Sequence, residues 1–242
     1  MPMEVITEIK RKGKLLQFCL QDAKFLFSHL GMSGGWRISK IPIAEKHTHL
    51  HLKIENQFGE KYLAYVDPRR FGQLDYLRNE SAQKKLSLIG PDLTSPLFNA
   101  SYLQRIFKAN AKKILKSFML DQKFFAGLGN YMASEICARA GIRPMRKCNK
   151  INRQDCQKIF AATQSVINGS LKHQGLTFSG GYSDTTGAKG KGLTNLVVFH
   201  QKICGLCKST PVKKNYHTYS RNFLLPSLPK IMADSFILNI RI

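Results

Sequence analysis

The segment between Leu120 and Tyr131 has the residue types of a phosphate-binding turn. It reads LDQKFFAGLGNY, in which a Gly-x-Gly turn delivers Asn130 and a set of backbone N–H groups to the start of the next segment. That segment, residues 132–141, has a helical composition and ends at a glycine. Because N–H groups at a helix N-terminus attract anions, the arrangement predicts a phosphate grip. On its own, the G-x-G-N pattern also fits a tight loop followed by a helix cap.

The stretch before this turn predicts another helix. Residues 112–120 carry apolar side chains at the spacing of one buried helical face, namely Ile114, Leu115, Phe118 and Met119. The whole unit is therefore predicted to consist of a helix, two turns and a second helix.

The net charge of the chain indicates a polyanionic partner. Its 242 residues include 38 Lys and Arg against 15 Asp and Glu, a formal charge of +23 with a pI near 10.0. This excess is larger than solubility requires, so nucleic acid is the default partner. The sequence has no long apolar run, signal peptide or strongly amphipathic basic helix, which argues against a membrane partner. We predict an intracellular protein, in the cytoplasm or another compartment that contains DNA, that works as a monomer.

The hydrophobic pattern predicts an α+β fold. Up to about residue 90, short apolar runs are separated by Gly, Pro, Asp and Asn, which is typical of an antiparallel β-sandwich or barrel. These runs cover residues 15–20, 25–30, 50–54 and 62–66. From about residue 100 to 173 the period is helical. Residues 175–192 are rich in Gly, Ser, Thr and Lys, which fits a mobile loop near a phosphate backbone or a plain linker, and residues 196–199 predict a strand.

Two of the six cysteines are paired in sequence. Cys204 and Cys207 form a C-x-x-C motif. The other four are scattered and fit inert thiols in a reducing compartment, namely Cys19, Cys137, Cys148 and Cys156.

Five short motifs occur in an order that resembles one protein family. They are RKGK at 11–14, HLGMSG at 29–34, DPRRFG at 67–72, the turn before Asn130 and the C-x-x-C at 204–207. Together they closely resemble the bacterial formamidopyrimidine-DNA glycosylases, relatives of the endonuclease VIII enzymes. The resemblance implies a truncated N-terminal β-sandwich (1–90), a helix-two-turn-helix DNA-binding domain with a lesion-capping loop (91–193), a degenerate zinc-finger hairpin (194–228) and an atypical tail (229–242).

The resemblance assigns three side chains to the space that an extruded base leaves behind. A glycosylase must flip its target nucleotide out of the duplex, and the vacated stack must then be filled. The positions that match the family's fillers are Met32, Arg69 and Phe71. Met adapts to an irregular gap, Arg offers donors to the orphaned base, and Phe wedges the base step. Taken singly, Met32 and Phe71 could equally be core residues. Arg69 or Arg70 could equally form a surface ion pair.

The same match implies catalytic residues and phosphate ligands. Lys14 falls on a family Lys that contacts phosphate and assists β-elimination. Arg221 falls on a finger Arg that grips the phosphates flanking the lesion and aids δ-elimination. The remaining positions implied to contact DNA are His47, Arg70, Asn130 and Lys112. Lys112 lies only near a basic contact of the family, because Ala111 occupies the contacting position itself.

The histidines offer a competing interpretation as a metal site. His47, His49 and His51 alternate along a predicted strand and would share one of its faces, and His29 adds a fourth imidazole. No carboxylate or thiolate stands at a useful spacing from them. We therefore predict no metal at these histidines.

The start of the chain departs from the family pattern. Family members excise bases with an N-terminal proline, whose amine attacks the sugar C1′, followed by a glutamate that moves protons. Here only thirteen residues precede Lys14, so the family's Pro-Glu pair is expected to be missing and glycosylase activity to be severely reduced. Pro2 and Glu4 superficially resemble that pair, but they match the head of the strand that leads to Lys14.

The C-terminal part departs from the pattern as well. Structural zinc needs four ligands, but Leu225 and Leu228 occupy the places of the family's second cysteine pair. Cys204 and Cys207 alone make an incomplete site, with His217 as a possible third ligand, so weak or no zinc binding is expected. The tail, residues 229–242, resembles nothing in the family and reads like translation in a shifted frame.

These patterns predict a base-excision-repair homologue, a DNA glycosylase and AP lyase that recognises 8-oxoguanine, formamidopyrimidine or abasic sites in double-stranded DNA. A residual lyase activity is expected because Lys14, beside Arg11 and Lys12, should have a lowered pKa and could condense with the aldehyde of an abasic site. One alternative is a non-catalytic remnant that binds damaged DNA without cleaving it. Another is an RNA-binding protein, which would have no use for Met32 and Phe71 as fillers.

Overall fold

Two compact units make up the chain. The computed structural model describes residues 3–175, 183–212 and 236–241. One unit comprises Met1–Leu88, Gln174–Lys191 and Leu225–Ile242, and the other comprises Ile89–His173 and Gly192–Leu224. We call them the sheet unit and the helical unit. Their contents confirm the α+β class. The described residues 183–191 of the Gly- and Lys-rich segment group with the sheet unit.

The sheet unit is built on eight antiparallel strands. They are β1 (Met3–Lys12), β2 (Leu15–Leu20), β3 (Lys24–His29), β4 (Gly35–Ser39), β5 (Thr48–Asn56), β6 (Gly59–Val66), β7 (Gln73–Arg78) and β8 (Phe236–Arg241). Their order across the sheet is β4-β6-β5-β8-β1-β2-β3-β7. Helix α1 (Asn79–Ser87) follows β7. The four apolar runs of the sequence therefore correspond to β2, β3, β5 and β6, as predicted.

The sheet folds back on itself to form a two-layered core. The ring of Trp36 on β4 lies 5.2 Å from the ring of Phe18 on β2, although several strands separate them in the sheet. The Trp36 indole N–H also donates to Ser28 Oγ on β3, at 3.0 Å. On β5 the buried residues alternate, with Leu52 and Ile54 facing the core. This packing confirms the predicted sandwich.

The C-terminal strand occupies the centre of this sheet. Strand β8 lies in the stretch predicted to be an atypical tail, and it pairs with β5 on one side and β1 on the other. Residues 184–188 form a turn around the Asp184 carboxylate, which accepts from Thr186 N and Ala188 N. Ile38 N on β4 donates to Thr185 O at 3.0 Å, so this turn covers part of the sheet's edge.

The helical unit is built around an aromatic core. Its helices are α2 (Ala100–Ala109), α3 (Leu115–Met119), α4 (Asn130–Arg139) and α5 (Arg153–Lys172). Phe98, Phe107, Phe118 and Phe125 are at most 2% exposed and pack edge to face or tilted against one another. No helix in the described ranges is both long enough and apolar enough to cross a bilayer.

One predicted helix of this unit starts later than expected, and one predicted strand is not formed. The helix predicted over 112–120 begins only at Leu115, because Ile114 is extended and forms a bridge with Lys147. Residues 196–199 are not a strand. The backbone N–H groups of residues 197–199 bond to a side-chain carboxylate and not to a neighbouring strand.

Candidate nucleic-acid interface

Two loops of the sheet unit lie directly against each other. We call residues 30–34 the methionine loop and residues 67–72 the arginine loop. The Asp67 carboxylate accepts from Ser33 Oγ at 2.7 Å, from Gly72 N at 2.7 Å and from Arg69 N at 3.2 Å. Burial alone would raise the pKa of Asp67, but these hydrogen bonds hold it below its usual value. One buried carboxylate thus joins the two loops.

Glycines allow this close approach. Gly31 has φ +63°, and a Cβ there would stand 2.4 Å from the carbonyl carbon of Phe71. The Tyr65 hydroxyl lies beneath both loops, at 2.2 Å from a Cβ built on Gly34 and 1.7 Å from one built on Gly72. Larger residues at these positions would force the loops apart, which explains the glycines of the HLGMSG and DPRRFG motifs.

The predicted filler side chains project from these joined loops. Phe71 is 54% exposed, which is unusual for a large apolar side chain, and the Arg69 guanidinium lies 5.1 Å from the centre of its ring. Met32 is half-buried. Arg70 is exposed and has φ +54°, a strained conformation that the hydrogen bond from its N–H to Asp67 O helps to hold. The structure therefore brings together the methionine loop and the arginine loop that carry the three predicted fillers.

His47 lies beside the arginine loop, but not on a strand. It precedes β5 with φ +69°, and its carbonyl accepts from Asp67 N at 3.0 Å. His49 Nε2 pairs with Asp67 O at 2.9 Å. The predicted alternation of His47, His49 and His51 along one strand face is wrong, because β5 starts at Thr48 and its register shifts before Leu50.

Lys14 occupies the turn between β1 and β2. It is 6% exposed, and its Nζ has no hydrogen-bond partner among the described residues. Burial lowers the pKa of Lys14 to about 8. This direction was predicted, but from the charges of Arg11 and Lys12 and not from burial. Those side chains instead donate to the backbone, Arg11 to Gly13 O and Lys12 to Leu86 O, each at 2.8 Å.

His29 lies at the end of β3, directly before the methionine loop. Burial, together with the charges of Lys14 and Lys85, lowers the pKa of His29. Its Nδ1 accepts from Gly31 N at 3.2 Å, which requires an unprotonated nitrogen. A neutral His29 therefore anchors the start of the methionine loop.

In the helical unit, Asn130 begins helix α4 as predicted. Gly129 is the N-cap residue and makes no side-chain cap, and Gly127 has φ +94°. The turn is held by Gln122, whose amide donates to Leu120 O and Leu128 O and whose oxygen accepts from Gly127 N. This end of the helix has the geometry of an anion site.

The two lysines before α3 differ in their surroundings. Lys112 is exposed. The Lys113 ammonium lies 4.6 Å from the centre of the Phe118 ring and 3.7 Å from Asp121 Oδ2. Lys112 is therefore the more available of the two for a phosphate.

Sequence reasoning missed a buried carboxylate on α4. Glu135 is 1% exposed, and its two oxygens accept from the backbone N–H groups of Val197, Val198 and Phe199, each at 2.8 Å. Arg139 Nη2 donates to Asn195 O at 2.7 Å. The available signal was a glutamate at an inward-facing position of α4. Its partner could not be read from the sequence, because Val197 is 62 residues away.

The C-x-x-C segment forms a tight turn that is attached to this anchor. Gly205 N donates to Val197 O, and Lys208 N donates to Cys204 O, each at 2.8 Å. Hydrogen bonds from Thr210 and Ser209 lower the pKa of Cys207 to about 6. In the described part of the chain no third His, Cys, Asp or Glu joins this pair, so these residues alone cannot complete a tetrahedral zinc site. Arg221, His217, Leu225 and Leu228 lie outside the described residues.

Comparison with known proteins identifies relatives over most of the chain. The formamidopyrimidine-DNA glycosylase N-terminal domain matches residues 2–74, and the formamidopyrimidine-DNA glycosylase H2TH domain matches residues 89–180. The formamidopyrimidine-DNA glycosylases of Klebsiella pneumoniae and Salmonella arizonae are each 33% identical to this chain. Each match covers 90% of this chain and 80% of the relative.

Solved structures of the same family have a similar fold. The MutM (Fpg) protein of Thermus thermophilus has a TM-score of 0.73 at 29% identity, covering 85% of this chain and 76% of that one. Lactococcus lactis Fpg in complex with DNA containing an abasic site has a TM-score of 0.72 at 27% identity, covering 85% and 74%. The sheet, the helix-two-turn-helix and the paired loops thus define a DNA-repair glycosylase fold. The chain belongs to the formamidopyrimidine-DNA glycosylase family.

Proposed function

We propose that this protein binds double-stranded DNA at abasic sites and at oxidised bases such as 8-oxoguanine and formamidopyrimidine. The observation that carries the proposal is the Asp67 carboxylate, which lies 2.7 Å from both Ser33 Oγ and Gly72 N and so holds the two filler loops together. Side chains that fill the same gap in DNA must be held at fixed positions relative to one another. Homologues solved with an abasic site and with carbocyclic 8-oxo-G DNA support this substrate class.

In this proposal the fillers and the phosphate ligands have separate tasks. Phe71 wedges the base step, Arg69 bonds to the orphaned base, and Met32 fills the remaining space. The phosphate backbone is bound by Asn130 at the start of α4, together with His47, Arg70 and Lys112. The formal charge of +23 strengthens binding to any duplex, so the preference for damage has to come from the fillers.

The proposal assigns strand cleavage at an abasic site to Lys14. Its uncharged Nζ adds to the C1′ aldehyde of the opened sugar and loses water to form an imine. Protonation of the imine gives an iminium ion, and loss of a C2′ proton to a base converts it into an enamine. The enamine electrons then form the C2′–C3′ double bond and restore the iminium ion, while the C3′–O bond breaks and the 3′ phosphate leaves with its electron pair. Hydrolysis of the imine restores the amine. Arg221 is proposed to bind the phosphates that flank the lesion.

The lowered pKa of Lys14 supports this assignment. With a pKa of about 8, roughly a fifth of the amine is uncharged at pH 7.4, against about one in a thousand for a lysine at its ordinary value. Only the uncharged form is nucleophilic.

Three end-labelled duplexes test the proposal, one with an abasic site, one with 8-oxoguanine and one intact. We expect the protein to prefer the abasic duplex, to cleave it, and to form a covalent adduct with it under borohydride. Lys14→Arg retains the charge and should abolish the adduct, while Lys40→Arg, at an exposed position, should not. Equal affinity for abasic and intact duplexes would contradict the binding function. An adduct that survives Lys14→Arg would contradict only the lysine assignment. Cleavage of the 8-oxoguanine duplex reports base excision separately.

A second candidate is damage binding without cleavage. The burial of Lys14, which is only 6% exposed, favours it, because the amine must become accessible before it can reach a sugar. The same experiment distinguishes the two functions. A salt-sensitive preference for abasic DNA with neither cleavage nor adduct is the outcome that this candidate predicts.

A further inference from the structure

Both filler loops connect the two halves of the folded sheet. One half contains β4, β6 and β5, and the other contains β1, β2, β3 and β7. The methionine loop runs from β3 in one half to β4 in the other, and the arginine loop runs from β6 to β7. The spacing of the loop ends therefore depends on how the two halves are held relative to each other.

Strand β8 forms a backbone ladder with both halves. On one side its residues 236–239 stand opposite residues 6 to 3 of β1. On the other side its residues 237–241 stand opposite residues 55 to 51 of β5. Within the described sheet it is the one strand that pairs with both halves.

The register of β8 matches its sequence pattern. Phe236 stands opposite the buried Ile6, Leu238 opposite the buried Ile54, and Ile240 opposite the buried Leu52. A shift of one residue would put Asn239 and Arg241 opposite these buried positions. Positions 236, 238 and 240 are all apolar, whereas two of the three intervening positions, Asn239 and Arg241, are polar, so the sequence pattern favours the observed register.

We infer that β8 is a positioning strand, which holds the two halves of the sheet so that the methionine loop and the arginine loop meet correctly at damaged DNA. It also pairs with the start of β1, the strand that leads to Lys14. Loss of β8 would leave both β1 and β5 with an unpaired edge and would let the halves separate. The effect on DNA rests on the proposed function, whereas the pairing of β8 does not.

Cross-linking tests the pairing without DNA. Val5→Cys with Ile237→Cys joins β1 to β8, and Lys53→Cys with Asn239→Cys joins β5 to β8, because directly opposed residues of antiparallel strands lie within disulfide range. The control is Val5→Cys with Arg241→Cys, which is offset by roughly 13 Å along the strand. Under oxidised glutathione, peptide mapping should find the two matched disulfides and not the offset one. Absence of both matched disulfides, or equal yield from the control, overturns the inference.

Lesion preference tests the consequence for function. Leu238→Pro removes a backbone donor of β8, whereas Leu238→Val retains it. For Leu238→Pro we expect the ratio of abasic to intact-duplex affinity to fall about tenfold, with intact-duplex affinity changed by no more than about twofold, and Leu238→Val to match the wild type. An unchanged ratio, together with lost hydrogen-exchange protection of residues 51–55, overturns the positioning role.

The disulfide variant decides the case if Leu238→Pro does not fold. The oxidised Val5→Cys/Ile237→Cys protein should keep the wild-type affinity ratio and show a higher urea midpoint than its reduced form. A locked protein with no lesion preference would overturn the inference. A wild-type protein without any preference would instead contradict the proposed function, and the cross-linking result would still stand.

Discussion

Two buried ionisable side chains of the sheet unit differ in the form that their surroundings favour. The Asp67 carboxylate has hydrogen-bond donors on both oxygens and is held in its charged form. The Lys14 ammonium has no partner among the described residues, so its burial favours the uncharged amine. The first side chain therefore joins the two loops, and the second provides the uncharged amine that the proposed lyase step requires.

Replacement of Asp67 should separate the loops without unfolding the sheet. Asp67→Asn puts an amide group toward Ser33 and Gly72, which donate to Asp67, so we expect a loss of about 2–3 kcal/mol in the free energy of unfolding and a reduced preference for abasic DNA. Urea unfolding and competition binding measure the two effects. Asp75→Asn, which breaks a half-exposed ion pair with Lys85, is the matched control and should change either quantity little. A wild-type lesion preference in Asp67→Asn would contradict the role of this carboxylate.

Lys14 should make the protein more stable at alkaline pH. Its folded pKa of about 8 lies below its ordinary 10.5, so the unfolded chain binds more protons between these values and the free energy of unfolding rises with pH across that window. The full rise is about 3 kcal/mol. Lys14→Met should be more stable than the wild type at pH 7 and lack this rise in urea unfolding at pH 7.5 and 9.5. Lys40→Met should behave as the wild type, and a Lys14→Met protein that keeps the rise would contradict the prediction.

Helix α4 serves two purposes in the helical unit. Its first turn is the proposed phosphate site, and its buried Glu135 binds residues 197–199, of which Val197 accepts a hydrogen bond from Gly205 in the C-x-x-C turn. A single helix thus links the proposed phosphate site to the start of the C-terminal region.

Glu135→Gln should release this attachment. An amide offers one acceptor oxygen in place of two, so at least one of the three N–H groups loses its partner and the free energy of unfolding should fall by about 2–3 kcal/mol. Hydrogen exchange at residues 197–199 reports the local effect. Glu8→Gln, at an exposed ion pair with Lys10, provides the control. Unchanged protection at 197–199 in Glu135→Gln would show that packing alone holds this segment.

The C-x-x-C turn is predicted to bind zinc weakly or not at all. Leu225 and Leu228 have no donor atoms, and two thiolates cannot fill four coordination positions. Metal analysis of the purified full chain should find clearly less than one zinc per molecule, and a chelator should leave the Tm unchanged. One tightly held zinc, lost together with the C-terminal fold in Cys204→Ser, would refute this prediction.

At the scale of the whole molecule, positive charge and specific contacts are separable. The net charge favours binding to any duplex, whereas exposed Phe71 and its neighbour Arg69 are the side chains proposed to act where a base is displaced. Salt dependence and lesion preference should therefore respond to different substitutions.

Lys112→Ala should weaken binding to all duplexes alike. Removal of one phosphate contact reduces the slope of log K against log salt by about 1 and leaves the preference for abasic DNA unchanged. Arg69→Ala should do the reverse and lower the preference. Lys84→Ala, at an exposed position of α1, is the control for charge alone. If Lys112→Ala lost lesion preference, its role would not be that of a phosphate ligand.

The sequence by itself determined the family, the main strands and the helical region. Periodicity and the five motifs depend on neighbouring residues, and these are sufficient to predict β2, β6 and the Asn130 turn. Local pattern misplaced other elements where a distant partner decides the conformation. His47 follows a turn joined to Asp67, and residues 197–199 bond to Glu135, so neither lies on the strand that its pattern predicted.

Tertiary structure alone decided which groups are buried and what they contact. Nothing in the local sequence indicates that Tyr65 lies beneath two glycines or that Lys14 is buried. The pairing of residues 236–241 with a strand at the other end of the chain is equally absent from the local pattern. Burial and strand pairing depend on contacts between residues that are far apart in sequence. These contacts form, and stabilise the protein, only when the whole chain folds.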